Sequence, residues 1–196
     1  MQADQKLSRC AWVGDDPLYI SYHDQEWGSE VRDDKTQFEY LTLESAQAGL
    51  SWLTILKRRK GYARVFYDFD VQRVAKMSEL EIQKALADPG IIRNKLKVRA
   101  AVKNAQVFLE IQKEFGTFSK YIWSFVGDKP LQNNWENSFQ VPATSKESDA
   151  LSKDLKQRGM SFVGSTIMYA HMQATGLVND HTVDCFRHRL VLENRR

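Results

Sequence analysis

The chain has 196 residues, of which 42% are hydrophobic and 27% charged, and its formal net charge at pH 7 is +3. This composition is typical of a globular protein, and the length allows one domain or two small lobes that share a cleft. It contains no apolar run near the roughly 18–20 residues of a membrane span, and its N-terminus, Met1 to Arg9, is too polar for a secretory signal. We therefore expect a cytoplasmic protein without a membrane partner, whose mildly basic charge is compatible with a polyanionic one.

Helix signals dominate the first part of the chain. Asp16, which precedes a proline, predicts the start of a short helix. Asp34 is the expected N-cap of a second helix that runs toward Gly49, and Ser51 is the expected N-cap of a third. These side chains accept hydrogen bonds from the amides of a first helical turn, which have no partner within the helix.

The middle of the chain continues this pattern. Ser78 and Glu81 form a capping box, and the helix that they open should stop at Asp88, before a proline. A long amphipathic helix is predicted from about Arg93 to Phe115, because apolar residues recur there at helical spacing, and Gly116 ends it.

The last third begins with the segment 127–144, which is rich in Asn, Gln and Pro and is predicted to be a loop. Thr144 with Glu147 indicates a second capping box. Helices are then expected over 145–159, 164–176 and 180–190. Strand-like alternation is almost absent throughout, so the sequence predicts an all-α fold, with residues 1–196 as a single unit.

Two Cys/His pairs lie near opposite ends of the chain. Cys10 and His23 are thirteen residues apart, and His181 and Cys185 are four apart, which places the second pair on one face of a predicted helix. Together they would make a four-ligand site with no position left for water or substrate, hence a structural metal ion. Each residue could equally be an isolated core residue, since free cysteine packs as a small hydrophobe.

Aromatic side chains are concentrated in two segments that also contain a carboxylate. Glu44 lies among apolar positions of its predicted helix. The aromatic residues are Trp12, Tyr19, Tyr22, Trp27 and Trp52. Aromatic faces can stack on a nucleobase, most strongly when the base is cationic, and a carboxylate could accept hydrogen bonds from an adenine amino group. Equally, the aromatic residues could be core, and Glu44 could lie on a solvated face.

A glycine-bounded turn separates two of the last predicted helices. One helix ends at Gly159 and the next starts at Gly164, so the helix N-terminus could present backbone amides to a DNA phosphate. Ser165 and Thr166 could add hydroxyl donors. The alternative is an ordinary pair of antiparallel helices with no ligand.

These segments together resemble the 3-methyladenine DNA glycosylase I family, which are helix-hairpin-helix repair enzymes. The resemblance covers Cys10 to about Phe186. It is carried by R-C-A-W-V, D-P-L-Y-I-S-Y-H-D-Q-E-W-G, L-E-S-A-Q-A-G-L-S-W, G-I-I-R-N-K-L-K, W-S-F-V, S-D-A-L-S-K-D-L-K-Q-R-G, F-V-G-S-T-I-M-Y and G-L-V-N-D-H. It implies two helical lobes around one cleft, with the helix-hairpin-helix near residues 150–176.

The resemblance also assigns roles to individual residues. It implies one structural Zn²⁺ per chain, held by Cys10, His23, His181 and Cys185. It implies a base pocket formed by Trp12, Tyr19, Tyr22, Glu44 and Trp52, with Glu44 as the key acidic residue. DNA contacts would fall on a probing turn and on the hairpin: Gly49, Leu50, Gly159, Gly164, Ser165 and Thr166.

The sequence departs from related patterns at a few positions. Many helix-hairpin-helix glycosylases carry a catalytic aspartate where this chain has Asn179, followed by Asp180. Bifunctional relatives place a Schiff-base lysine where this chain has Thr166, which indicates simple hydrolysis without strand cleavage. Ser45 and Ala46 stand where the family often has Gly and Gln, a modest change of pocket shape.

The resemblance thus implies a monofunctional glycosylase of base excision repair. It would act as a monomer on double-stranded alkylated DNA, flip the damaged nucleotide, insert Leu50 into the stack and release free 3-methyladenine. Two alternatives from other classes remain, a DNA-binding module that recognises damage without excision and a zinc hydrolase of small molecules. A metal site with all four positions filled disfavours the second.

Overall fold

The structure is a computed structural model and describes residues 7–193. Over these residues the fold is mostly helical, as predicted. The α-helices are α1 (Pro17–Gln25), α2 (Asp34–Gln47), α3 (Trp52–Leu56), α4 (Arg59–Val65), α5 (Val71–Val74), α6 (Glu79–Ala87), α7 (Lys95–Phe115), α8 (Phe118–Ser124), α9 (Lys146–Gln157), α10 (Ser165–Ala174) and α11 (Phe186–Glu193). None of the helices in this part of the chain is long and apolar enough to span a membrane.

Helix α2 lies at the centre of the fold, where it contacts α3, α7, α8 and α10. Phe38 and Leu43 are fully buried. The Phe38 ring packs edge-on against Phe108 of α7, with 5.3 Å between the ring centroids, and Phe108 stacks on Phe118 at 4.0 Å. Because α2 is covered by neighbours on several sides, four of its polar residues are buried together with its apolar ones: Gln37, Thr42, Glu44 and Ser45.

The N-cap of α2 is Asp33 rather than the predicted Asp34. The Asp33 carboxylate accepts a hydrogen bond from the Thr36 amide. Asp34 instead accepts hydrogen bonds from the backbone amides of Phe118 and Ser119, at 2.9 and 2.8 Å. Its carboxylate therefore satisfies the first turn of α8, 84 residues away in sequence, and two adjacent aspartates serve two helices.

The predicted helix starts at Asp16, Ser51 and Ser78 are confirmed by side-chain caps. The capping box predicted for Thr144 is one residue out of register. It is formed by Ser145 and Ser148, whose hydroxyls exchange hydrogen bonds with each other's backbone amides. Glu147 therefore lies one position before the residue that closes the box, which is the buried Ser148.

The segment predicted to be a plain loop, 127–144, contains a short strand. This strand, β1 (Leu131–Gln132), pairs in parallel with β2 (Val178–Asn179). A helical turn, Ser138–Gln140, follows it. The all-α prediction therefore missed a two-residue strand pair, which is too short to leave any alternation in the sequence.

The helix predicted over 180–190 starts only at Phe186. The six residues before it form an irregular turn because their amides bond elsewhere. The His181 amide donates to the Asn179 side chain at 3.3 Å, and the Val183 amide donates to the Trp135 carbonyl at 2.9 Å. His181 and Cys185 are therefore brought together by a turn and not by one face of a helix.

Candidate active site and metal centre

A cavity of about 370 Å³ opens beside α1, α2 and α3, a size typical of small-molecule sites. The five predicted pocket residues all line it: Trp12, Tyr19, Tyr22, Glu44 and Trp52. The rest of the lining is Cys10, Trp27, Gln47, Ser138, Val141, Pro142, Ala170, Gln173, Asp180 and Thr182. The structure thus brings the two predicted aromatic segments together around Glu44, and a second carboxylate, Asp180, also lines the cavity.

Glu44 is held inside the protein by the central position of α2. Its side chain is only 3% exposed, and its Oε2 atom has no hydrogen-bond partner among residues 7–193. Burial raises the pKa of this carboxyl to about 8. A buried acceptor without a partner is unfavourable by itself, so a ligand that donates hydrogen bonds or carries positive charge would be favoured beside it.

The aromatic walls of the cavity are built from two pairs of rings. Trp12 and Tyr19 have centroids 4.9 Å apart, and Tyr22 and Trp52 have centroids 5.4 Å apart. Burial raises the pKa of Tyr19 and of Tyr22, so both hydroxyls stay neutral. The Trp52 indole N–H is buried without a partner among the described residues. The cavity therefore offers flat apolar faces and unpaired polar atoms, as recognition of a planar heterocycle requires.

The four predicted metal ligands form one buried cluster, with donor atoms that all lie within 4.8 Å of one another. Cys185 Sγ is 3.5 Å from His23 Nε2 and 3.5 Å from His181 Nδ1, and Cys10 Sγ is 3.6 Å from His181 Nδ1. Tetrahedral zinc, with Zn–S of about 2.3 Å and Zn–N of about 2.1 Å, places sulfur and nitrogen about 3.6 Å apart. The observed spacing therefore fits such an ion.

The residues around the cluster also favour metal binding. The other ring nitrogen of His23 is 2.8 Å from the Asp24 carboxylate, and that of His181 is 3.1 Å from the Trp27 carbonyl oxygen. Such second partners orient metal-binding imidazoles and fix their tautomers. The neighbouring Cys10 thiol lowers the pKa of Cys185 while its own pKa is raised, and burial lowers the pKa of His181. A thiolate and a neutral imidazole are the forms that bind metal.

The Cys/His cluster lies directly behind the aromatic wall. Trp12 packs edge-on against His23 with 5.3 Å between ring centroids, and Trp27 packs edge-on against His181 at 4.6 Å. A Cβ atom added at Gly28 would lie 2.8 Å from His181 Nε2, so only glycine leaves room for that ring. The position of the cavity wall therefore depends on the geometry of the cluster.

The predicted probing turn follows the C-terminal end of α2. Gly49 has a φ of +77°, which favours glycine, and the next side chain, Leu50, is 39% exposed. The Leu50 amide donates to the Gln47 carbonyl at 2.6 Å, and Gln47 itself lines the cavity. The turn therefore presents an apolar side chain to solvent close to the cavity.

The segment between α9 and α10 has the predicted glycine-bounded form. Gly159 has a φ of +97° and ends α9, with its amide bonded to the Lys156 carbonyl and the Met160 amide bonded to the Leu155 carbonyl. Gly164 is the N-cap of α10 and supplies no side-chain cap. The first amides of α10 are therefore not capped by a side chain.

The hydroxyl groups at the start of α10 differ in their availability. Ser165 Oγ donates to the Asp149 carboxylate and is 2.8 Å from Ser148 Oγ, so it already has partners within the protein. Thr166 is exposed. The turn is also fixed from α7, where the buried Asn104 side chain exchanges two hydrogen bonds with the Ser161 backbone, both at 2.9 Å.

Sequence reasoning missed the role of Asp180 in the cavity. This carboxylate is 2% exposed and accepts four hydrogen bonds, two on each oxygen. The donors are Asn133 and Trp135 on Oδ1, and Tyr169 and Gln173 on Oδ2, at 2.7–2.8 Å. It thereby connects the 131–142 segment to α10. The only sequence signal was an aspartate beside Asn179, and nothing in it indicated partners about 45 residues away.

A family model, individual relatives and solved structures all match this chain to the same family. The family model described as methyladenine glycosylase matches residues 12–188. DNA-3-methyladenine glycosylase 1 of Escherichia coli (strain K12) is 46% identical over 179 residues, which cover 91% of this chain and 96% of that protein. A crystal structure of 3-methyladenine DNA glycosylase I has 45% identity and a TM-score of 0.89, covering 91% of this chain and 98% of that one.

A further solved structure shows a 3-methyladenine DNA glycosylase I variant in complex with 3-methyladenine. It has 39% identity and a TM-score of 0.88, and the match covers 91% of this chain and 96% of that one. The family model spans most of the chain, and sequence identity well above 30% extends over nearly the full length of the relatives. The chain therefore belongs to the methyladenine glycosylase family.

Proposed function

We propose that this chain is a monofunctional DNA glycosylase that releases 3-methyladenine from alkylated double-stranded DNA in base excision repair. The observation that carries the proposal is Glu44, a buried carboxylate with an unpaired oxygen in an aromatic cavity. The names of the E. coli relative and of the 3-methyladenine complex support the choice of base.

The cavity is suited to a cationic planar base. Methylation at N3 gives the adenine ring a positive charge, and the faces of Trp12 and Trp52 attract such a ring more strongly than a neutral one. Ionised Glu44 would accept hydrogen bonds from the amino group and stabilise the positive charge. Burial favours the protonated form of this carboxyl at pH 7. A cationic base favours the carboxylate and gains a charged partner, whereas neutral adenine does not.

The reaction needs little acid catalysis, because the methylated base leaves as a neutral molecule. The C1′–N9 bond breaks with its electron pair going to the base, and a water oxygen bonds to C1′ of the oxocarbenium-like sugar while its proton passes to solvent. Thr166 stands where a Schiff-base lysine would lie, so the product is an abasic site in an intact strand.

Two elements would hold the duplex. Leu50, exposed on the turn after α2, would fill the space left by the flipped nucleotide. The helix-hairpin-helix formed by α9 and α10 would bind a backbone phosphate through the uncapped amides at Ser165 and Thr166, between Gly159 and Gly164. The Ser165 hydroxyl, already bonded to Asp149, contributes less than its amide. We expect a monomer to be sufficient, with two lobes around the cleft.

We further propose that Cys10, His23, His181 and Cys185 hold one structural Zn²⁺. The ion would supply a rigid link between the two ends of the chain, and four protein ligands leave no open position for catalysis. Trp12 and Trp27 pack on two of these ligands, so the link also supports the wall of the base pocket.

Methylated duplex DNA and chromatography of the released bases test the function. We expect release of 3-methyladenine, with 7-methylguanine left in place. Glu44→Ala and Glu44→Gln should reduce release at least about 100-fold while duplex binding is kept, since one lost stabilising group costs about that factor. Glu110→Gln, on the exposed face of α7, is the matched control and should act like the wild type.

Two outcomes of this assay would contradict the proposal. Folded, metal-loaded protein that binds methylated duplex and releases no base would make the chain a damage-binding module. Unchanged release by Glu44→Gln would remove Glu44 from the mechanism.

A further inference from the structure

Phe139 is the most exposed large hydrophobic side chain in the described part of the chain. It is 97% exposed, whereas the next, Leu96, is 69% exposed. A phenylalanine ring that stays in water does not contribute the free energy that burial of its apolar surface normally gives to folding. An isolated exposed aromatic is unremarkable on a surface, so its position in the fold decides whether it has a use.

The backbone around Phe139 is held in a defined turn. The Phe139 amide donates to the Asn137 side chain at 3.1 Å, and the Gln140 amide donates to the Asn137 carbonyl at 3.2 Å. The Gln140 side chain in turn accepts from the Glu136 amide at 2.7 Å. The turn is therefore closed by three internal hydrogen bonds, which define the backbone position from which the ring projects.

This turn forms part of the rim of the base cavity. Ser138, directly before the ring, lines the cavity, as do Val141 and Pro142 after it. The turn is anchored from the side of Trp135, whose indole donates to Asp180 and whose carbonyl accepts from the Val183 amide at 2.9 Å. Phe139 thus stands at the cavity mouth on a segment that is bound to the protein core.

We propose that Phe139 contacts DNA, by packing against the nucleotide next to the flipped one on the damaged strand. This inference rests on the proposed function. A flipped nucleotide must enter through the mouth of the cavity, so the strand on either side of it passes the rim where Phe139 lies. Flipping also exposes the face of a neighbouring base, and an aromatic ring can stack on it without regard to sequence.

Phe139 would be the second apolar contact beside Leu50. The two residues belong to different parts of the chain that line the same cavity, since Leu50 lies between the lining residues Gln47 and Trp52. One side chain would fill the gap in the stack, and the other would hold the displaced strand at the mouth. Such a contact adds affinity for the distorted duplex and not for the free base.

Fluorescence anisotropy with a duplex that contains one tetrahydrofuran abasic site tests this contact. We expect Phe139→Ala to bind about ten-fold more weakly, the effect of losing one stacked base. Phe139→Trp should bind as the wild type does or more tightly, and Phe139→Leu should be intermediate. The control is Leu80→Ala on α6, which removes another exposed hydrophobic side chain and should leave the affinity for this duplex unchanged.

Two further readouts separate a direct contact from a damaged pocket. Binding of free 3-methyladenine, measured by calorimetry, should be the same for the wild type and Phe139→Ala. The dependence of duplex affinity on salt should keep its slope, since no phosphate contact is lost. A lower affinity for the free base, or a changed salt slope, would show that the substitution acts through the pocket or the backbone contacts and would overturn the inference.

The inference also fails if Phe139→Ala binds the abasic duplex as tightly as the wild type. A wild-type dimer that Phe139→Ala converts to monomers, with unchanged duplex affinity, would assign the ring to self-association instead. Failure of the proposed function looks different, because the wild-type protein would then release no 3-methyladenine from methylated DNA.

Discussion

The side-chain amine of Lys97 donates a hydrogen bond to the carbonyl oxygen of Ala48 at 2.6 Å, immediately before the turn that carries Leu50. It also donates to the Ala46 carbonyl at 2.8 Å. Carbonyls at the end of a helix lack partners within the helix, and here a lysine from α7 supplies them. Burial lowers the pKa of this amine, which nevertheless remains bound to two carbonyls close to the cavity. The two hydrogen bonds from Lys97 therefore hold the end of α2 and the start of the probing turn in place.

Lys97→Met should loosen this turn while keeping the apolar part of the side chain. We expect a loss of about 1–3 kcal/mol in the free energy of unfolding, measured by urea denaturation, because two carbonyls lose their donor. Affinity for an abasic duplex should fall while affinity for free 3-methyladenine is retained. Lys113→Met, on the exposed face of the same helix, removes the same charge and should change neither stability nor affinity to that extent. Equal effects of the two variants would contradict the role of Lys97.

The buried carboxyl of Glu44 predicts a specific dependence of stability on pH. Its pKa is raised from 4.5 to about 8 in the folded protein, so the unfolded chain ionises first as the pH rises. This group therefore favours folding fully below about pH 4.5, and that contribution is lost as the pH rises to about 8, by about 1.4 kcal/mol per pKa unit. Glu44→Gln cannot ionise, so its stability relative to the wild type should increase from pH 5 to pH 8. Chemical denaturation across this range measures it, and parallel curves for the two proteins would rule it out.

The four-ligand cluster predicts one zinc ion per chain and a stability that depends on it. A ligand at about 1,000 times its Kd stabilises a protein by about 4 kcal/mol, and each kcal/mol changes the Tm of a chain of this size by about 2–4 °C. A chelator should therefore lower the Tm by roughly 8–16 °C. Free 3-methyladenine should bind more weakly as well, because Trp12 packs on His23.

Metal analysis and calorimetry test this prediction. Cys185→Ser should contain no zinc and should show the lower Tm without any chelator. Gly28→Ala should have a reduced zinc content, because the added methyl group meets the His181 ring. Metal-free wild-type protein with an unchanged Tm would disprove the structural role of the ion.

The hydrogen bond from Trp135 to Asp180 predicts that one indole N–H supports the cavity wall. Trp135→Phe keeps an aromatic ring and removes the donor to a buried carboxylate. We expect a loss of about 1.5–3 kcal/mol in the free energy of unfolding, the range for hydrogen bonds to charged groups. Amide hydrogen exchange in 131–142 should be faster, and 3-methyladenine release should slow. Exchange that stays as slow as in the wild type would show that the segment is held without this bond.

Local sequence patterns were sufficient for several of the helices and for three of the N-caps. Asp16, Ser51 and Ser78 start helices through hydrogen bonds that span two or three residues, so the local sequence encodes them. Where two candidates are adjacent, local reasoning chose wrongly. Asp33 and Asp34 are equally good caps in sequence, and only the packing of α8 onto α2 decides which one caps α2.

The candidate site also combines features that the sequence predicted with features that only the folded structure shows. The identity of the pocket residues and of the four Cys/His ligands came from motifs and from resemblance, and the structure places each set together. The predicted helix over 180–190 starts only at Phe186, because the amides of His181 and Val183 bond to Asn179 and Trp135. Two of the four donors around Asp180 come from α10, which is near in sequence, and the other two lie about 45 residues away.

The sequence by itself determined a mostly helical chain with aromatic residues concentrated in two segments, one of which carries Glu44, and with a Cys/His pair near each end. Only the tertiary structure decided that Glu44 is buried with one oxygen unpaired among residues 7–193, and that the Cys/His cluster packs behind Trp12. It also decided that the 131–142 segment is held beside the cavity by Asp180. The reason is physical. Helix propensity and capping act within about one turn of the chain, whereas burial and hydrogen bonds between distant segments exist only after the chain has folded.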